Sequence, residues 1–324
     1  MRRQLGDGAL SIVAVALVCF AAGCTSGGSP TVVDGVEITA DDVARLHVDF
    51  DDLDEDERAG SMLLLILRQA FGAGAADDLG VELDETTVDR AYQERVDRFE
   101  GRGGVDVVLS SLNQTPERLQ VEAELDTIRD GVSAELVRSE APGFDINAAY
   151  EGYLLDEAEV CIRQMQLSTA PDFDTAAERL AAGEDFAAVA RELSIDPFVG
   201  RTEGSGAGGD QGCSAPSALP GGLAEATLTA PLDETTGPIN TDTGVYLLVA
   251  YQRTAPDLAE VRNDVVEFAV VQQGPELFRR WAVEVLQEID VEVGPEFGVW
   301  GMLPETDPVP TVVPAYRQGD IITP

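Results

Sequence analysis

The run Ala182-Gly183-Glu184-Asp185-Phe186-Ala187-Ala188-Val189-Ala190, then Leu193-Ser194-Ile195-Asp196, then Gly208-Gly209-Asp210-Gln211-Gly212, sets the character of the middle of this 324-residue chain. Asp174 to Leu193 reads as two helices broken at Gly183, with Phe186, Val189, Ala190 and Leu193 on one stripe of the second. A glycine-rich loop follows, from Gly200 to Gly212. Gly204 to Gly209 spells G-x-G-x-x-G, but a dinucleotide site needs a strand before it and a helix start after it. Here Arg201-Thr202-Glu203 precedes and Asp210-Gln211-Gly212-Cys213 follows, so the segment reads as a loop. On either side, Val160 to Leu167 reads as a strand, and Val245 to Tyr251 is a β-rich run behind the turn Thr241-Asp242-Thr243-Gly244.

Outward from this insert the chain is helical. Thr31 to Ile38 alternates around Asp34-Gly35 and reads as a short hairpin. Thr39 is an N-cap, with Asp41 and Asp42 in the first turn after it. Asp49 to Glu57 holds seven acids in nine residues. A calcium loop would need glycine at its sixth position, which from Asp52 is Glu57, so a solvated acidic surface is expected. Met62 to Ala76 is apolar nearly all round and reads as a buried helix. Thr86 to Phe99 and Pro116 to Val137 read as amphipathic helices, the latter with Thr115 as N-cap and Pro116 at its first position. Leu258 to Val271 and Leu277 to Ile289 return to helix, and the proline-rich end from Pro304 to Pro324 reads as an extended or disordered tail. The expected class is α+β: a helical lobe split between N- and C-terminal segments, carrying a compact domain with a small sheet.

The chain carries 21 basic residues, all arginine, against 60 acidic ones, a formal charge of −39. Such a molecule repels phosphate backbones and anionic headgroups, which excludes nucleic-acid binding and a polybasic membrane patch. With 44% hydrophobic and 25% charged residues it has the mix of a folded protein. His47 is the single histidine, so a histidine-rich zinc site is excluded; it is expected on an acidic helix as a satisfied surface residue. The lysine-free acidic surface also fits a salty habitat.

Arg2 and Arg3 precede the apolar run Ile12 to Phe20, too short to span a bilayer but fitting a signal peptide. Ala21-Ala22-Gly23-Cys24 resembles the bacterial lipobox, departing at Ala21 where leucine is commoner; the alternative is an ordinary cleaved signal with Cys24 incidental. Residues 1–23 are thus the expected signal, Cys24 the lipidation site and 24–30 a flexible tether. Extracytoplasmic and lipid-anchored is the expected address. Cys161 and Cys213 then remain as a pair in an oxidising compartment, to be read as a disulfide or as two buried thiols, the compartment favouring the first.

Six pieces in order resemble the parvulin class of peptidyl-prolyl isomerase domains: the three quoted at the start, then Leu223 to Leu228, Gly237-Pro238-Ile239-Asn240, and Thr243 to Leu248. The flanking Val33 to Thr39 and Leu79 to Val88 are similar to the N-terminal chaperone region of SurA/PrsA-type extracytoplasmic foldases. The resemblance divides the chain into a helical region 31–155, a parvulin-like domain 156–254, C-terminal helices 255–300 that pack back on the first region, and a tail 301–324. It implies that Leu219 and Leu223 line a slot for the proline ring, that Asp196 is the polar group near the amide, and that Thr243 stands before the last strand. It implies clients that are unfolded or nascent secreted polypeptides, and a chemistry that needs no metal or small-molecule cofactor. Parvulins usually carry a histidine on the first strand and another on the last; those positions hold Gln164 and Tyr246. These two can bond each other, but they lack the charge and tautomer options of an imidazole pair. Two readings stay open: working parts of an isomerase, or structural residues of a retired site in a holdase. A solute-binding lipoprotein would need two doubly wound lobes, which the flanks do not offer.

Overall fold

In a computed structural model, residues 29–200, 206–303 and 309–321 are described. β1 (Thr31–Val33) and β2 (Val36–Ile38) form a hairpin whose turn, Asp34-Gly35, has φ of 48° and 83°. Both values are positive, as a two-residue turn matched to strand twist requires. Thr39 and Asp42 make a capping box on α1 (Ala40–Ala44), and Asp54 and Glu57 make another on α2 (Glu55–Leu79). Four of the seven acids are therefore the N-cap and first turn of α2, where carboxylates meet unpaired N–H groups and the positive end of the helix dipole. α2 ends at Gly80 in the left-handed region. Then come α3 (Glu85–Glu100), α4 (Val105–Ser111), α5 (Pro116–Arg138) and α6 (Ile146–Glu157).

The middle of the chain forms a separate sheet. β3 (Glu159–Leu167) leads into α7 (Ala170–Ala181) and α8 (Phe186–Leu193), then β4 (Asp210–Ser214), α9 (Leu223–Thr229), β5 (Thr235–Thr241) and β6 (Gly244–Thr254). The strand order is β4-β3-β6-β5, antiparallel throughout. Side chains alternate across it. Met165, Leu167 and Leu247 pack under Ala176 of α7 and Phe186, Val189 and Ala190 of α8. On the opposite face Ile162, Leu248 and Ala250 pack with Ala230, Leu219 and Ile239. Cys161 and Cys213 stand opposite each other on β3 and β4 and are joined by a disulfide.

α10 (Leu258–Gln272) and α11 (Gly274–Glu288) then return to the first lobe. Their Val265, Leu277, Trp281 and Leu286 share one core with Phe71 of α2 and Ile128 and Val132 of α5. Phe71, Phe278 and Trp281 meet at centroid distances of 5.6–5.7 Å. β7 (Val291–Glu292) pairs with β1, so the helical lobe is built from both ends of the chain.

The end of the chain departs from the expected tail. β8 (Val299–Gly301) pairs with β9 (Thr311–Val313), and Ala315 to Asp320 form a 3₁₀ turn. Val312 and Val313 are buried, and Val312 joins Phe297 in the core beneath β1 and α2. Two adjacent valines are enough to hold the segment down, a signal masked by the prolines around them.

Candidate functional site

The site is built on the face of the small sheet away from α7 and α8. In the β3–β6 register Gln164 stands opposite Leu248 and Gln166 opposite Tyr246, so all four side chains share that face. Gln164 is 8% exposed, and its Oε1 is buried with no hydrogen-bond partner among the described residues. Tyr246, 5% exposed, places its hydroxyl 2.9 Å from Thr243 Oγ1. The expected bond between Gln164 and Tyr246 is not formed, because the hydroxyl turns to the loop before its own strand.

The direction of that bond follows from the hydroxyls behind it. Thr241 Oγ1 donates to the Gly244 carbonyl at 3.1 Å and accepts the Thr243 backbone N–H at 3.2 Å. Its proton is therefore used, and at 3.0 Å it accepts the hydroxyl proton of Thr243. Thr243 in turn accepts from Tyr246. Tyr246 is left with free lone pairs, Thr243 is exposed at the turn, and Gln164 brings a buried carbonyl oxygen and an amide.

Asp196 reaches the site through Gln166. The Gln166 N–H donates to Ser194 Oγ at 3.2 Å, and the Gln166 carbonyl accepts from Ser194 Oγ at 3.2 Å and from the Ile195 N–H at 2.8 Å. The Gln166 side-chain amide donates to the Thr243 carbonyl. One residue thus ties the Asp196 loop and the Thr243 turn to the centre of the sheet. Asp196, half-buried, accepts the Phe198 N–H on Oδ1 at 2.9 Å. Gln166 is absent from the residues singled out in the sequence; the signal for it is its place two positions after Gln164 on one strand, hence on one face.

The two leucines divide. Leu219 is half-buried against the Ile162–Leu248 cluster and presents an apolar wall. Leu223, the first residue of α9, is 0% exposed and offers no free surface of its own. The Arg253 guanidinium fixes α9, donating to the carbonyls of Thr227 at 2.7 and 2.9 Å and of Ala230 at 2.5 Å. The disulfide lies on the edge pair β3–β4. Cys24, the signal 1–23 and most of the tether lie outside the described residues.

His47 lies apart from this face and differs from expectation. It sits in the turn after α1, not on the helix, and is half-buried. Its Nδ1 donates to the Asn113 carbonyl at 3.0 Å, and its Nε2 is 2.7 Å from Ser61 Oγ. Burial holds its pKa below the ordinary 6.5; Arg118 acts in the same direction, while the Asn113 carbonyl and Glu57 oppose it.

A four-stranded antiparallel domain with its helices, mounted on a helical lobe made from both chain ends, is the architecture of the PrsA/SurA-type foldases with a parvulin domain. The structure is similar to that of the peptidylprolyl isomerase PrsA from Bacillus cereus, at 15% identity and a TM-score of 0.53, over 84% of this chain and 96% of that one. Two further similarities are to the foldase protein PrsA of Streptococcus pneumoniae (16% identity, 78% of this chain and 90% of that one, TM-score 0.37) and to the parvulin domain of PpiD from E. coli (25% identity, 31% and 92%, TM-score 0.26). No family model matches the sequence, and no curated protein matches it either.

Proposed function

We propose that this chain is a lipid-anchored extracytoplasmic folding factor that binds unfolded exported polypeptides and turns their X–Pro bonds on the sheet face described above. The observation that supports this is the buried Gln164 Oε1, unpartnered among the described residues, on the same sheet face as a Tyr246 hydroxyl already oriented by Thr243, at the two positions where the resembling domains carry histidines. An unsatisfied buried acceptor costs stability, and its retention fits a group held for a substrate.

Rotation about X–Pro faces a barrier near ~20 kcal/mol, because resonance gives the C–N bond double-bond character. A catalyst must favour the twisted amide over the planar one. Leu219 gives the proline ring an apolar wall. Tyr246 and Gln164, buried just beneath that face, act on the twisted amide through fixed dipoles, and Gln166 ties the Asp196 loop to the same face. Positioning and dipoles suffice for this reaction, since no bond is broken.

The second reading, a holdase that keeps the domain as a peptide platform, is favoured by the replacement of both imidazoles. Exchange NMR on a short Ala-Pro peptide, with the full chain in detergent and its Asp196→Ala variant, decides between them. Acceleration of cis–trans exchange that falls at least tenfold in the variant supports the isomerase. No acceleration, with aggregation of an unfolded client still suppressed, supports the holdase.

A further inference from the structure

The helical lobe contains a cleft of about 400 Å³ between β2, α1, α2 and α5. Its floor is apolar: Ile38, Leu46, Leu65 and Val121. Its rim carries four carboxylates, Glu37, Asp42, Glu117 and Glu124, against two guanidiniums, Arg45 and Arg68. Both arginines are already engaged, Arg45 with Asp42 at 3.1 Å and Arg68 with Glu124. Glu37 and Glu117 are exposed and form no ion pair among the described residues. Beyond Arg68 the depression continues, about 360 Å³ more, past Ala73, Val81 and Leu83, the last 42% exposed.

One wall of this cleft is the free edge of a sheet. In the order β2-β1-β7, β2 is the outer strand. Val33 and Val36 close the hairpin, so the next pair, Val32 with Glu37, is of the non-hydrogen-bonded kind. Val32 pairs with Glu292 of β7 on its other side, in agreement. The N–H and C=O of Glu37 therefore point away from β1, and neither has a partner among the described residues.

We infer that this cleft binds an extended polypeptide segment alternating large apolar and basic residues, one backbone unit of which pairs with Glu37 as an added strand. The apolar floor takes alternate side chains, the free edge takes the backbone, and the carboxylate rim takes the cations. The net charge of −39 brings such segments in and repels acidic ones. The inference rests on reading the chain as a folding factor and supplies a client site separate from the prolyl face.

The test is fluorescence anisotropy of a labelled short peptide of alternating leucine and arginine, with the full chain in detergent. Glu37→Ala removes a charge; Glu37→Pro removes the same charge and also an N–H that bonds nothing among the described residues, at an edge where proline is tolerated. We expect Glu37→Ala to weaken binding severalfold, and Glu37→Pro to weaken it about five- to tenfold further, the worth of a backbone hydrogen bond. Glu117→Arg should weaken binding and flatten its salt dependence, and the leucine–glutamate peptide should not bind. Equal affinity across wild type and all three variants, with unchanged urea midpoints, overturns the inference, as does equal binding of the acidic peptide. Asp196→Ala should leave this binding intact and Glu37→Pro should leave prolyl exchange intact, so failure of one site is distinguishable from failure of the other.

Discussion

Replacing Gln164 with leucine separates stability from chemistry. The side chains are similar in volume, and the change removes a buried oxygen that bonds nothing among the described residues. We expect urea denaturation to show stabilisation of about 1 kcal/mol or more, with prolyl exchange falling if the amide acts on substrate. Destabilisation would mean that the amide has a structural role. His47 gives a second residue-scale prediction. Its folded-state pKa lies below 6.5, so in the window just beneath that value the unfolded chain binds the extra proton. Its contribution is complete above pH 6.5 and declines as pH falls; His47→Gln should flatten the urea midpoint between about pH 6.5 and 5. The turn that carries Thr243 is legible in the sequence because the short local pattern Thr241-Asp242-Thr243-Gly244 marks it. Gln166 is not, because its role comes from pairing with residues 28 and 77 positions away. Leu223 was assigned surface that its burial denies it, since sequence gives the type of a residue and not the depth of its pocket.

Among the elements, β4 depends on a covalent tie. It is an edge strand, Asp210–Ser214, with no large apolar side chain, held to β3 at Cys161–Cys213. The bond closes a loop with a sequence separation of 52, worth up to ~4 kcal/mol in the chain-entropy model. Cys213→Ala should lower stability toward that limit in urea, and reductant should do the same to the wild type but nothing to the variant. The polar composition of β4 is also why it read as loop. β5, Thr235–Thr241, was hidden by Gly237-Pro238, a pair that marks a turn in most contexts. α6 carries Gly152 in its middle and lacks a clean stripe, and α4 is only seven residues long. By contrast α2, α5, α10 and α11 were plain, because long periodic segments outweigh local noise.

On the scale of the whole molecule the excess carboxylates cover a structure whose described ion pairs all draw on a chain with only 21 arginines and no lysine. Most acids therefore face other acids, and screening should help. We expect the thermal midpoint to rise from low to molar sodium chloride; an unchanged midpoint would show that repulsion is already balanced by the arginine pairs. The split of the helical lobe was visible from the order of helices, sheet and helices, while the strand that closes it, two residues long, was too short to read. That closure has a consequence in time. β1 gains its second neighbour only from β7, and the side chain of Asp34 accepts the N–H of Asp290, 256 residues further on. During synthesis the first strand thus waits for nearly the last, while the middle sheet, whose strands pair only within residues 159–254, can be finished first. The helical lobe is then the final part to mature, and a nascent copy of this protein is itself, for most of its emergence, an unfinished chain with an open edge.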